Sequence, residues 1–471
     1  LSTLSLPAPL PTRVIPKAKT RAAKLTLWPL VAATFFMVSG GTYGTEEIVH
    51  GAGYGRAILI LVLTPLLWSL PTAFMIGELS SALPAEGGYY AWVRRGLGNF
   101  WGFQEAWLSL VASIFDMAIY PTLFVGYLTQ IAPWFREGHR GVMVGLFVVV
   151  ACAALNLAGI RVVGLASLWL FFLLSMPFAA IVLLSPFKLG AAASGHLAPV
   201  TSTVGLLGGT LIAMWNYMGW DNASTIAKEV ERPQRTYPKA MIAAVILVTL
   251  TYVVPFAAVY LAGVPASAFA GDGAWAQVAG LVGGNWHGVN WLGFLLVLGG
   301  MMSAFGMFNA LVMSYSRLPL AMAQDGMLPK VFAKRSSKTR APWVAIVVCA
   351  TGWGLCLGLG FERLVTLDII LYGASLMLEF VTLVVLRIRQ PHLKREFRVP
   401  GGLLGAILAG VFPLLLLSLA LVHGGSETVL GINGLTFGAV IILAGFVVYF
   451  GSAKLRRRPL RPAIVESAEA A

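Results

Sequence analysis

The chain reads as an all-α membrane protein of many spans, and three observations predict that class. Of its 471 residues, 58% are hydrophobic and only 11% charged, against roughly 25% charged residues in a soluble protein; mean hydropathy is +0.82. The apolar residues fall in blocks of about 20, the helix length that crosses ~30 Å of hydrocarbon. No long stretch alternates apolar with polar residues, as the strands of a membrane barrel would.

The blocks mark twelve candidate spans, at 27–50, 56–83, 99–131, 141–158, 162–186, 203–226, 238–262, 289–316, 342–360, 363–386, 402–423 and 434–453. They divide the chain into a basic tail (1–25), a core of ten spans (26–387), two further spans (388–453) and a second tail (454–471). The first 25 residues are basic and Pro-rich and lack the apolar centre of a cleavable signal peptide. With the N-terminus inside, 28 of the 33 Lys and Arg residues lie in inside segments and 5 in outside loops. The positive-inside rule therefore places both termini in the cytoplasm of a plasma (inner) membrane protein. The net charge of +14 is mostly one face of that protein, which argues against nucleic acid as a partner. Cys152, Cys349 and Cys356 fall in apolar segments with no metal or disulfide spacing, so neither a metal site nor a covalently linked subunit is expected.

Carboxylates break the pattern. Glu46, Glu47, Glu78, Glu105, Asp116, Asp221, Asp368 and Glu379 lie in or at the edges of spans, with no matching cations there. Glu78, Glu105 and Asp368 lie toward span ends, where water is expected to reach them. Asp116 and Asp221 are nearer mid-span, where an unpaired charge costs several kcal/mol and normally marks a cavity. The imbalance suggests a site for a cation.

Two spans are interrupted. In span 1, "FFMVSGGTYGTEEIV" (35–49) places Ser39, Gly40 and Gly41 mid-helix, followed by Thr42, Glu46 and Glu47. In span 6, "MWNYMGWDNAS" (214–224) places Gly219 between bulky residues, then Asp221-Asn222, which is helix-starting chemistry. The breaks are five spans apart. Because five is odd, spans 1–5 and 6–10 would be inverted repeats, with broken helices meeting at the midplane to form a transport site. The freed backbone groups are tolerable only around a cavity or ligand. Other readings compete: the glycines as close packing, Glu46 and Glu47 as partners of a helix dipole, Asp221 as a cap. Trp215, Tyr217 and Trp220 are core aromatics or a wall for a cationic group.

These residues carry a resemblance. "GELSSALPAEGGYYAWVRRGLG" (77–98), "LNLAGIRVVG" (155–164), "AKEVERPQRTYPKAM" (227–241) and "AMAQDGMLPKVFAKRSSKTRAPWVA" (321–345) resemble motifs of the amino acid/polyamine/organocation permease superfamily. "VSGGTYGTEEIV", "WGFQEAWLSLVASIFDMAIYPTLFVGYL" and "WNYMGWDNASTIAKEVERP" are similar to its polyamine:proton symporter branch. The resemblance implies a LeuT-like fold and a proton-coupled symporter, not an enzyme, with Ser39, Gly40, Gly41, Glu46, Glu47, Asp116, Tyr217, Trp220 and Asp221 around the substrate. Thr42 and Gly219, beside the two breaks, complete the candidate set.

Two departures bear on the substrate. That branch tends to carry acids in span 8 where this chain has Leu311 and Tyr315, and many amino-acid relatives have a span 5 lysine that is absent here. A proton would then ride on a carboxylate, Asp116 or Glu47. No cofactor is expected, and sodium coupling stays open through Ser303 and Ser314 of span 8. The expected cargo is an amine or an amino acid, carried by alternating access.

Overall fold

The computed structural model describes residues 24–85, 87–188, 203–271, 273–283, 285–286, 289–357, 361–424, 428–429 and 432–453. Apart from Lys24 and Leu25, the tails 1–25 and 454–471 lie outside them. Among the described residues the protein is helical, apart from loops and two short pairs of two-residue strands. Nine of the described helices are long and apolar enough to cross a membrane, and Leu27–Val38 and Trp343–Leu355 are shorter apolar helices.

The first expected span is broken. Helix α1 (Leu27–Val38) ends at Ser39, which turns to extended backbone while its N–H still reaches the Phe35 carbonyl at 2.6 Å. Gly41 and Gly44 have positive φ, and the chain re-enters helix as α2 (Glu46–Thr64), with Glu46 and Glu47 in the first turn. Gly53 (φ 72°, ψ 162°) interrupts α2. Residues 46–52 are thus a half-helix, and the second span starts after Gly53, runs through the π-helical turn Pro65–Ser69 and ends in α3 (Leu70–Ala82).

The sixth span breaks in the same manner, with one difference from expectation. Helix α8 (Thr203–Asn216) stops before Gly219, and Trp220–Glu229 continues as a 3₁₀-helix where an α-helical half was expected. Such helices rarely run past 3–4 residues. Here the Ser/Thr/Asn-rich sequence bonds to its own backbone, Thr225 Oγ1 donating to the Asn222 carbonyl at 2.8 Å. Outside hydroxyls hold the rest: Tyr237 donates to the Ala223 carbonyl at 2.6 Å and Ser314 to Asn222 Oδ1 at 2.7 Å.

Around the breaks stand the unbroken helices α5 (Asn99–Ile131), α6 (Arg140–Ala158), α7 (Ile160–Leu184), α9 (Pro233–Leu261), α11 (Trp291–Tyr315), α13 (Trp343–Leu355) and α14 (Phe361–Arg389), then α15 (Gly402–Gly424) and α16 (Gly434–Ala453). Shorter helices join them: α4 (Gly88–Leu97) before α5, α10 (Trp275–Val282) before α11 and α12 (Arg317–Gln324) after it. The most extensive packing is α5 against α14 and α11, while α1 packs on α9, α11 and α7.

The acids placed near span ends are not water-exposed. Glu78 is 0% exposed because two guanidinium groups and an amide cover it: Arg387 at 2.5 Å, Arg395 at 3.1 Å and the Val399 N–H at 2.7 Å. A second, half-buried pair at this basic end joins Arg94 of α4 to Asp325 at 2.6 Å, with the Tyr90 hydroxyl on the same carboxylate. Glu105 and Asp368 are 0% and 2% exposed, covered by the α5–α14 packing. Removing one partner of a buried ion pair strands the other, at about 3–5 kcal/mol. Glu78→Ala is therefore expected to destabilise the protein by about that much, read as a lowered Tm of the purified protein in detergent. An unchanged Tm would show that the cluster contributes nothing to folding.

Candidate functional site

The two breaks touch. Gly219 has φ 85°, and a Cβ built on it would strike the carbonyl oxygen of Met37 at the end of α1. Only glycine satisfies both demands, since the left-handed region costs other residues roughly 1–2 kcal/mol. Gly40 makes a comparable approach to α11: its carbonyl accepts the Ser303 hydroxyl at 2.5 Å, and a Cβ there would strike Ser303 Oγ. Further out, Asn216 Nδ2 donates to the Gly44 carbonyl at 3.2 Å, linking the second break to the loop of the first.

Beside this contact lies a small cavity, lined by Met37 and Val38 of α1, Asp116 and Tyr120 of α5, Trp215, Met218 and Gly219 of the second break, Tyr315 of α11, and Asp368 and Tyr372 of α14. The room left between these side chains is about that of one water molecule, far below the ~300–1,000 Å³ of an open small-molecule site. Among the described residues its lining holds two carboxylates and no Lys or Arg. The C-terminus of α1, the negative end of a helix dipole, is part of the same lining.

Tyrosines support the carboxylates. Asp116 Oδ1 accepts the Tyr120 hydroxyl at 2.7 Å, one helical turn along α5, and Oδ2 accepts the Tyr315 hydroxyl at 3.0 Å. Asp221, in the first turn of the 3₁₀-helix, accepts the Tyr372 hydroxyl at 2.6 Å. The oxygen of Tyr372 in turn accepts the Gly219 N–H at 3.1 Å. One α14 side chain thereby satisfies both the bare amide and the acid of the second break. Hydrogen bonds to a carboxylate stabilise its charged form, so this arrangement can hold anions poised for a cation.

Several candidates stand elsewhere. Glu46 bonds the Tyr127 hydroxyl at 2.6 Å. Tyr127 is eleven residues beyond Asp116 on α5, ~16 Å along the helix axis, so Glu46 meets α5 well away from Asp116. Glu47 accepts the Gly271 N–H at 3.1 Å in the loop before α10. Tyr217 donates to the Leu61 carbonyl and Trp220 to the Tyr217 carbonyl, both at 2.8 Å, and neither lines the cavity. Trp215 does. In the first break, the Ser39 hydroxyl accepts the Gly41 N–H at 3.0 Å. Thr42 donates to the Thr251 carbonyl at 2.6 Å, and its own carbonyl accepts from the indole of buried Trp275 at 3.2 Å.

Sequence reasoning missed Asp368, Tyr120 and Tyr372 as cavity residues, and treated Tyr315 only as the loss of an acid. A signal existed for two of them. Tyr120 is four residues after Asp116 and Tyr372 four after Asp368, so each tyrosine stacks one turn above an in-span acid.

A multi-pass helical protein whose two broken helices meet at an acidic cavity is built as a membrane transporter. The amino acid permease family model matches residues 31–452, and the chain belongs to that family. It is 36% identical to the polyamine transporter RMV1 of Arabidopsis thaliana, over 87% of this chain and 82% of that protein. It is 34% identical to the polyamine transporter PUT1 of Oryza sativa subsp. japonica, over 85% and 74%, and 24% identical to the serine/threonine exchanger SteT of Bacillus subtilis, over 92% and 95%. These relatives are transporters, not enzymes.

The contact between the breaks makes a direct prediction. Gly219→Ala introduces a Cβ that must push Met37 away, so transport is expected to fall at least tenfold, a barrier change of about 1.4 kcal/mol, with the protein still expressed and folded. Uptake by reconstituted Gly219→Ala at wild-type rate would mean that the breaks need not touch.

Proposed function

We propose that this protein imports an organic amine, a polyamine in the first instance, by proton-coupled symport with alternating access. The observation that carries the reading is the cavity itself: two carboxylates, a helix C-terminus and four aromatic rings (Trp215, Tyr120, Tyr315, Tyr372) around one space. Aromatic faces and carboxylates both favour an ammonium group. The names of the plant relatives point the same way. Span 8 supplies Tyr315 rather than an acid, but Asp368 brings a second carboxylate into the cavity from α14. In the first break, the amide of Gly41 is occupied by Ser39, which leaves fewer N–H groups for the carboxylate of an amino acid.

In this reading the chain is a twelve-span protein whose ten-span core has inverted repeats at spans 1–5 and 6–10, in a plasma or inner membrane with both termini cytoplasmic, acting without a covalently linked subunit. The inward potential then assists a cation by about 2.3 kcal/mol per charge per 100 mV. Of the two proton carriers expected from sequence, Asp116 faces the cavity and Glu47 does not.

One observation favours a second reading, sodium coupling with an amino-acid substrate. Ser303 of α11 faces the Gly40 carbonyl, and a hydroxyl beside a freed span 1 carbonyl is the kind of oxygen pair that a sodium ion takes.

Uptake into proteoliposomes separates the two. With putrescine, spermidine, arginine, leucine and alanine as labelled cargo, putrescine or spermidine accumulation is expected that collapses when an inward pH gradient is dissipated and is indifferent to sodium. Sodium-dependent uptake of a neutral amino acid would establish the second reading. Asp116→Asn is expected to lower amine uptake at least tenfold; unaltered uptake and pH dependence would remove Asp116 from the mechanism.

A further inference from the structure

The α5–α14 seam carries acids at two levels. Along α5, Glu105, Ser109, Ala112 and Asp116 follow at spacings of 4, 3 and 4 residues; along α14, Asp368, Tyr372, Ser375 and Glu379 do the same. Such spacing keeps all four residues on one helix face, and all eight are buried. In each helix the two acids are ~16 Å apart along the axis. Asp116 and Asp368 share the cavity. Glu105 and Glu379, toward the basic end, are close enough to act on one another, and Asp221 acts on all four.

The lower level is unsatisfied. Neither carboxylate oxygen of Glu379 has a hydrogen-bond partner among the described residues, and Glu105 Oε2 has none; Glu105 Oε1 accepts the Ser109 hydroxyl at 3.0 Å. The buried Tyr89 hydroxyl of α4 stands beside Ser109 and within electrostatic reach of Glu105, Glu379 and Asp221, without a hydrogen bond of normal geometry. The hydroxyl of Thr382, three residues beyond Glu379, is also unpartnered. On α4, Arg94 is engaged with Asp325 and Asn99. Two ionised carboxylates cannot stay packed together in such a place without a counter-charge.

We propose that Glu105 and Glu379 form the proton-carrying pair of this transporter, joined to the Asp116–Asp368 cavity through Asp221 and Tyr89. This rests on the proton-coupled reading above and moves the coupling group off the substrate site. A proton entering by way of the cavity forms an O–H bond on one glutamate, which neutralises half the pair's charge and removes the repulsion between the two. It leaves when that O–H bond breaks toward the basic end. The closed seam is accessible only with the proton aboard, so the closed, loaded state of the transporter carries amine and proton together.

The test compares two activities in proteoliposomes, with labelled putrescine or spermidine as cargo. Glu379→Gln and Glu105→Gln are expected to keep amine exchange at equal pH on both sides and to lose accumulation driven by a pH gradient. Accumulation equal to wild type in either folded variant overturns the proposal. So does loss of exchange with pH dependence intact, which would make the pair a contact for the substrate's second ammonium. If the wild type itself shows no gradient-driven uptake, the proton-coupled reading fails first and takes the pair's role with it. Should both variants fail to fold, labelling of wild-type protein with a hydrophobic carbodiimide, which attacks protonated carboxyls, decides the matter. Peptide mass spectrometry is expected to find label on Glu379 or Glu105 that fades as pH rises, and label on neither overturns the proposal.

Discussion

A carboxylate inside a bilayer must acquire hydrogen bonds, a cation or a proton, and most of this structure answers that demand. Asp116 is held by two tyrosine hydroxyls from different helices. Asp221 is held by one that also serves a bare backbone amide. Glu78, at the basic end, has two arginines. The acids thereby fasten α5 to α11 and the second break to α14. The interhelical bonds that line the acidic cavity are also bonds that assemble the bundle.

The same economy governs the breaks. Interrupting a helix in lipid exposes amides and carbonyls that are costly to leave bare. Here three of the freed groups find partners on other spans: Gly40 on Ser303, Gly219 on Tyr372, Asn216 on Tyr252 at 2.8 Å. Those partners sit on the unbroken helices α11, α14 and α9, so the two breaks are tied directly to all three. Trp275 closes over the first break from α10 and packs against Phe178, Phe256 and Phe269, placing an aromatic layer on the side of the breaks away from the basic end.

Much of the architecture was legible along the chain because its signals are local. Ser39-Gly40-Gly41 and Gly219 announce their breaks through backbone freedom and cap chemistry, which need no neighbour to be read. Asp116 stands out for the same reason, being an acid in mid-span. Asp368 was misjudged because distance from a span end is a poor guide to exposure. Helix α14 is 29 residues long, ~43 Å, and α5 covers the turn that carries the acid. Glu46 errs in the opposite direction: next to the break in sequence, it is carried away from the cavity by the half-helix it begins and is met there by Tyr127.

What the sequence by itself determined is the class of protein, the positions of the breaks and the inventory of buried acids, since hydropathy, glycine and charge are properties of single segments. What only the tertiary structure decided is which acids share a space. Asp116 and Asp368 share a cavity, and Glu105 comes within electrostatic reach of Glu379, because α5 and α14 pack together in opposite directions. A repeat of eleven residues within one helix says which side chains share a face. It cannot say which other helix that face will meet, because that choice is made by the packing of the whole bundle.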